Sequence, residues 1–282
     1  MLSYQHIYHA GNFADVQKHL FFCAGLQALT QKSKPFAVID AFAGRGWYDL
    51  SSQEAQKTQE YRTGILQLQT APHKPPPLMA TYLEAVQSLI SAQKTSHNQC
   101  DAYPGSPALA CHFARATDHI HAVEKHPGEW RHLQTWASTS SCVHAHNMDA
   151  FHAIESLCPP QEKRGIVLID PSYELKADYQ RVVAATQHVI KHWRNGMLML
   201  WYPILHANYH TQMKADICAI ANRGECVISE IIYQQSALRM LGSGMLVLNP
   251  PYQLQSNSSA ALDFFNQCLP QTARFSHTIQ TY

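Results

Sequence analysis

The sequence predicts an α/β protein, a doubly wound and mainly parallel sheet covered by helices, with a helical insert. Three observations carry this: seven short apolar runs, segments of helical period between most of them, and a carboxylate or loop motif where four of the runs end. In open sheets of this kind ligands sit outside the carboxyl ends of the strands, so the functional site is expected there.

The first run, Phe36 to Asp40, ends in an acid and enters the glycine turn Ala43-Gly44-Arg45-Gly46. Short buried strands read this way. Six more follow at His119 to Glu124, Cys142 to Asp149, Gly165 to Asp170, Met197 to Tyr202, Val227 to Tyr233 and Met245 to Asn249. Helical spacing marks Trp130 to Ser138, Asp178 to Trp193 and Thr211 to Asn222. Between Leu50 and Arg115 the interval is too long for a simple crossover, and Thr58 to Leu68 and Met79 to Gln93 have helical spacing. The sequence therefore predicts one domain over 1–282 with a helical insert at 50–115. His73-Lys74-Pro75-Pro76-Pro77 joins two helices of the insert, because proline lacks the amide and clashes with the preceding turn.

A chain of 282 residues buries a full core without staples. No stretch reaches the ~20 consecutive apolar residues of a membrane span, and Met1 to His6 lacks the basic and hydrophobic stretches of a secretory leader, so a cytoplasmic location is expected. The cysteines at 23, 100, 111, 142, 158, 218, 226 and 268 form no C-x-x-C pair and read as free thiols, without a zinc site or a disulfide framework. The histidines show no H-E-x-x-H pairing, and no metal is expected. A net charge of +1 gives no bulk attraction for a polyanion, so any nucleic-acid contact must be local.

The motifs fall at the strand ends. Gly44 and Gly46 permit close approach of a ligand, Glu124 stands where a carboxylate accepts both hydroxyls of a ribose, and Asp149 either accepts from an adenine amine or caps the helix beginning near Ala150. Together they outline a nucleoside-shaped site, and without G-x-x-x-x-G-K-[ST] a P-loop nucleotide is excluded. The fourth of these ends is Asp170-Pro171-Ser172-Tyr173, which resembles the [DNS]-P-P-[YF] signature of amino-group methyltransferases. An adenine N6 lone pair is delocalised into the ring until acceptors hold its hydrogens. Asp170 Oδ and the Pro171 carbonyl are expected to be those acceptors, with Tyr173 stacking on the base.

The opening Tyr4-Gln5-His6 and His9 to His19 resembles the RlmJ family, bacterial methyltransferases acting on an adenine N6 of 23S ribosomal RNA. The similarity continues through Tyr103 to Pro107, Glu124 to Pro127, Leu168 to Pro171, Trp201 to Pro203 and Gly242 to Met245. The resemblance implies a Rossmann-like class I methyltransferase sheet, S-adenosylmethionine as donor and S-adenosylhomocysteine as product. It implies that Asp170 is catalytic, that Tyr4, Pro171 and Tyr173 hold the target adenine, and that Lys18, His19, Phe42, Gly44, Ser106, Glu124, Asp149, Ala150 and Asp170 line the donor pocket. Two positions depart from the family: Ser172 replaces a second proline and restores an amide, and Phe42 replaces a histidine, so packing takes the place of a polar contact.

The rival readings are a DNA adenine or protein glutamine methyltransferase, or a non-catalytic RNA-binding module. The Tyr4 to His19 block argues against the first two, and intact Asp170 and Glu124 against the third. The expected partner is 23S ribosomal RNA, free of protein or early in assembly, with no membrane and no obligate protein partner. Lys18, Arg45, Lys57 and Arg62 are the candidate phosphate contacts.

Overall fold

The computed structural model describes residues 4–93, 101–221, 226–233 and 240–282; Met1–Ser3, Cys100 and Asn222 lie outside them. In chain order the first half holds α1 (Phe13–Thr30), β1 (Ala37–Asp40), β2 (Trp47–Asp49), α2 (Gln53–Thr58), α3 (Ile65–Gln69), α4 (Pro77–Ala92), β3 (Ala102–Pro104), α5 (Ser106–Phe113), β4 (His119–Val123), α6 (Pro127–Ala137) and β5 (Val143–His146). The second half holds α7 (Ala150–Leu157), β6 (Gly165–Ile169), α8 (Ala177–His192), β7 (Met197–Leu205), α9 (Tyr209–Ile220), β8 (Cys226–Tyr233), β9 (Met240–Leu248), α10 (Leu254–Cys268) and β10 (Phe275–Thr281).

Eight strands form one sheet in the order β10-β8-β9-β7-β6-β1-β4-β5. The run from β5 to β7 is parallel, while β9 pairs antiparallel with β7 and β8, and β10 pairs antiparallel with β8. The α/β class with a mostly parallel sheet is therefore as the apolar runs indicated. The central strands are buried on both faces, which is why they read as unbroken apolar runs. In β6, Ile166 and Leu168 face one core and Val167 and Ile169 the other. Helices α1, α4, α5, α6 and α10 cover the first face, and α7, α8 and α9 the second.

Some elements differ from expectation, each for a physical reason. Thr58 to Leu68 is not one helix: Gln59 at φ 54° ends α2, a 3-10 turn follows, and Gly64 separates it from α3. The helices at 50–115 share one apolar cluster with α1 and the sheet, and α5 packs on β1 and β4 as their crossover helix. β7 runs on to Leu205 through Pro203, which is tolerated because β6 pairs with β7 only as far as Leu200. β9 begins earlier than Met245, at Met240. A side chain at Gly244 would meet the Tyr202 ring at 2.2 Å. The strands β2, β3 and β10 were absent from the sequence-based expectation, as was α10. The seven described cysteines are free.

The N-terminal segment is fastened to the 50–115 region before it reaches the sheet. Ile65 N donates to the Gly11 carbonyl at 2.9 Å, and Glu60 accepts from Asn12 Nδ2 at 2.9 Å and lies 3.0 Å from His9 Nδ1. A Cβ on Gly64 would stand 2.0 Å from the Gly11 carbonyl oxygen, so the two backbones must part to admit one. Gly64→Ala is expected to destabilise the chain by about 1–3 kcal/mol, the usual cost of overpacking. Urea denaturation checks this, and a midpoint equal to wild type would show that the two segments do not press together here.

Candidate active site

A cavity of about 680 Å³ opens beyond the ends of adjacent β1 and β6, from which the chain continues to opposite halves of the sheet. That divergence is the switch point at which open α/β sheets bind ligands. Tyr4, Lys18, His19, Phe42, Gly44, Ser106, Glu124, Asp149, Ala150, Asp170 and Pro171 all line it. Residues from distant parts of the chain thus meet in one site. Tyr173 does not join them.

The glycine turn is held open by a carboxylate. Gly44 and Gly46 have φ of 60° and 74°, and a Cβ on Gly44 would fall 2.2 Å from the Tyr48 hydroxyl. Glu124, at the end of β4, accepts from Gly44 N at 3.0 Å and from His126 N at 2.6 Å. Burial, helped by nearby Glu129, raises its pKa, so it joins the site as a partly desolvated acceptor. Phe42 lies edge-to-face on Phe151 with ring centroids 5.6 Å apart, which gives the pocket an apolar wall.

Beneath the turn lies Asp40, fully buried, with neither carboxylate oxygen hydrogen-bonded. Burial pushes its carboxyl up to about 7, with nearby Lys18 offsetting part of that. Asp149 has committed partners: Oδ1 caps α7 by accepting from Phe151 N at 3.1 Å, while Lys125 and Arg181 pair with the carboxylate at 3.1 and 2.8 Å. The capping alternative is thus the geometry seen, and the acid faces the cavity as an already neutralised group.

Helix α1 brings the other half of the site. Its N-cap is Asn12, whose side chain accepts from Ala14 N and Asp15 N. One turn in, Asp15 is 1% exposed and gathers Gly11 N at 2.9 Å, His6 Nε2 at 2.8 Å and Lys18 Nζ at 2.9 Å. Burial opposes its charge, yet His6 and Lys18 hold it well below the usual carboxylate range. Lys18 in turn donates to Asp170 Oδ2, and its two carboxylate partners raise its pKa despite burial. The order is therefore His6, Asp15, Lys18, Asp170. Asp15 and His6 escaped the sequence reading, and their N-terminal position offered no periodic signal to find them.

Three expectations are corrected by burial. Tyr173 is 7% exposed, its hydroxyl donates to the Trp201 carbonyl at 2.9 Å and its ring packs on Tyr179, so it braces the loop instead of stacking on a base. Lys18 is buried between Asp15 and Asp170 and is no phosphate contact. Arg45 forms a two-pronged pair with Glu129 at 2.9 Å and is likewise already engaged. Lys57 and Arg62 remain exposed. Tyr4 is 36% exposed at the rim, stacked on His9 with its hydroxyl 2.9 Å from His6 Nδ1.

A mostly parallel sheet with antiparallel β9 inserted between β7 and β8, and a nucleoside-sized cavity at the switch point, defines a class I methyltransferase. Residues 33–279 match the family described as "Ribosomal RNA large subunit methyltransferase D, RlmJ", and the chain belongs to that family. It is 34% identical to "Ribosomal RNA large subunit methyltransferase J" of Escherichia coli over 95% of this chain and 94% of that one. Against the protein of the same name from Haemophilus influenzae it is 34% identical over 99% and 98%. A crystal structure of a Legionella pneumophila protein, 30% identical, superposes with a TM-score of 0.85 over 97% of this chain and 98% of that one.

His19 gives a pH signature. It is 1% exposed, Nδ1 lies 2.6 Å from the Tyr103 hydroxyl, Nε2 has no partner, and burial pushes its pKa down to about 3. Unfolded, it titrates near ~6.5. Between these values the unfolded chain holds the extra proton, so the contribution is complete above about pH 6.5 and is lost as pH falls toward 3. From pH 8 to pH 5, wild type is expected to lose roughly 2 kcal/mol more than His19→Gln. Urea denaturation at the two pH values measures it; parallel losses would show that His19 is not buried in its neutral form.

Proposed function

We propose that the chain transfers a methyl group from S-adenosylmethionine to the exocyclic N6 of an adenine in 23S ribosomal RNA. The observation that carries the reading is the Asp170-Pro171 acceptor pair at a nucleoside-sized cavity, with Asp170 Oδ2 fixed by buried Lys18. The family and its curated relatives, named as large-subunit ribosomal RNA methyltransferases, support the substrate class.

The residues present fit such a donor. Glu124 retains lone pairs for ribose hydroxyls, and Phe42 and Ala150 offer apolar contact to a base. When bound, S-adenosylmethionine supplies the electrophilic methyl. The chain's own work lies at the acceptor side. Asp170 and the Pro171 carbonyl accept the two N6 hydrogens, which localises the nitrogen lone pair as positive charge develops there. Lys18 occupies Oδ2 and so presents the carboxylate in one orientation, an advantage of reach that needs no motion during the reaction.

The preferred substrate is protein-free or early-assembly 23S RNA, in the cytoplasm, since the target must leave its stack and extrusion costs least in a loop or helix end. With Lys18 and Arg45 engaged in ion pairs, exposed Lys57 and Arg62 are the remaining phosphate contacts from the basic set, and a shallow salt slope follows. Initial rates on a loop-containing 23S fragment and the matching DNA hairpin test the assignment, and faster methylation of DNA would overturn it.

In the same assay Asp170→Ala is expected to lower turnover by roughly 10²–10³-fold, the usual effect of removing one transition-state partner, with donor Kd within about tenfold of wild type. Turnover above a tenth of wild type would remove Asp170 from the mechanism. Glu124→Ala is expected to act on donor affinity, weakening it by ~1.5–3 kcal/mol, the range for hydrogen bonds to charged groups. Calorimetry reads this directly, and an unchanged Kd would place the ribose elsewhere.

A further inference from the structure

Beyond the acceptor pair, the catalytic loop is continuous with an exposed aromatic surface. Tyr173 packs on Tyr179 with centroids 4.5 Å apart, Tyr179 on Tyr209 at 5.6 Å, and Lys176 Nζ lies 4.6 Å from the Tyr209 ring centroid. The ladder starts buried beside Asp170 and ends in solvent: Tyr209 is 40% exposed and Leu175, at the cavity mouth, 57% exposed. Large exposed apolar side chains are few among the described residues, and Tyr4, Leu175 and Tyr209 gather around this one opening or the ladder leading from it.

We infer that Leu175, Lys176 and Tyr209 form a landing surface for a single-stranded nucleotide adjacent to the target adenine. The inference rests on the RNA methyltransferase reading and extends it from the reacting base to its neighbour. An extruded adenine leaves flanking bases unstacked, and an exposed aromatic ring beside a leucine replaces that stacking without regard to sequence. Lys176 keeps the ring face covered in the free protein by a cation–π contact, which is weak at exposed sites. A base takes that face and the ammonium turns to the adjoining phosphate.

The geometry also sets the partner's form. A duplex presents no free base face, so the surface selects loops, bulges and strand ends.

The test uses the full chain with a loop-containing 23S RNA fragment carrying 2-aminopurine at either side of the target adenine. Wild type is expected to alter 2-aminopurine emission on binding, as stacking on Tyr209 requires. Tyr209→Ala and Leu175→Ser are expected to weaken RNA binding about tenfold and to act mainly through KM, with donor Kd unchanged as the check on folding. Tyr209→Phe, which keeps the ring, restores both affinity and the emission change, and Lys176→Gln lowers the salt dependence of binding. RNA affinity and emission equal to wild type in Tyr209→Ala, with methylation of RNA intact, would overturn the landing surface and leave the reaction assignment standing. Failure of wild type to methylate the RNA would overturn both.

Discussion

The ion pair between Lys18 and Asp170 is the constraint on which the site depends, because it joins the two halves of the molecule that chemistry must bring together. Lys18 belongs to a helix near the N-terminus and Asp170 to the loop after β6. Breaking a buried pair from one side leaves an uncompensated charge, which costs more than the pair contributes. Asp15 shares the ammonium, and His6 shares Asp15, so the Asp170 carboxylate is positioned by a chain of contacts reaching back to the rim.

The burial of α1 makes that chain possible. This helix packs against β6, β7 and β9 and against α4, α5 and α10, and is apolar nearly all round. Its polar residues are therefore confined to places where a partner waits: Gln17 donates to Ser229 in β8, His19 meets Tyr103, and Lys18 meets the two aspartates. The core and the site are one construction in which the same helix supplies both.

What was legible in the sequence follows from how each element meets water. The runs ending at Asp40 and Asp170 were found within a residue or two because parallel strands buried on both faces cannot avoid being apolar, and the run ending at Glu124 was found by its buried Ile120, Ala122 and Val123. β10 was missed because it is an edge strand with alternating burial, and β2 and β3 are three residues each. α1 carries no strong periodicity because it is buried all round from Phe13 to Leu26 and meets solvent only in its last turn. The site residues came from strand-end chemistry, from charge and from family resemblance, which name positions but not exposure or partners. That is why Tyr173 and Lys18 were given outward roles that their burial denies them, why Arg45, already paired with Glu129, was read as a phosphate contact, and why Asp15, which no motif singled out, was left unread.

In the proposed donor site Glu124 has a property of its own. Its two oxygens already accept from Gly44 and His126, so the side chain is locked before any ribose arrives. A carboxylate oxygen has a second lone pair, and incoming hydroxyls are added to the existing bonds without displacing them. The rotamer freedom that a solvent-facing glutamate surrenders on binding has thus been lost during folding, and preorganisation of this kind leaves more of the contact energy for affinity. The glycine turn, held by the same carboxylate, shares in that rigidity: the strand-end acid serves as a latch on the backbone that surrounds its ligand.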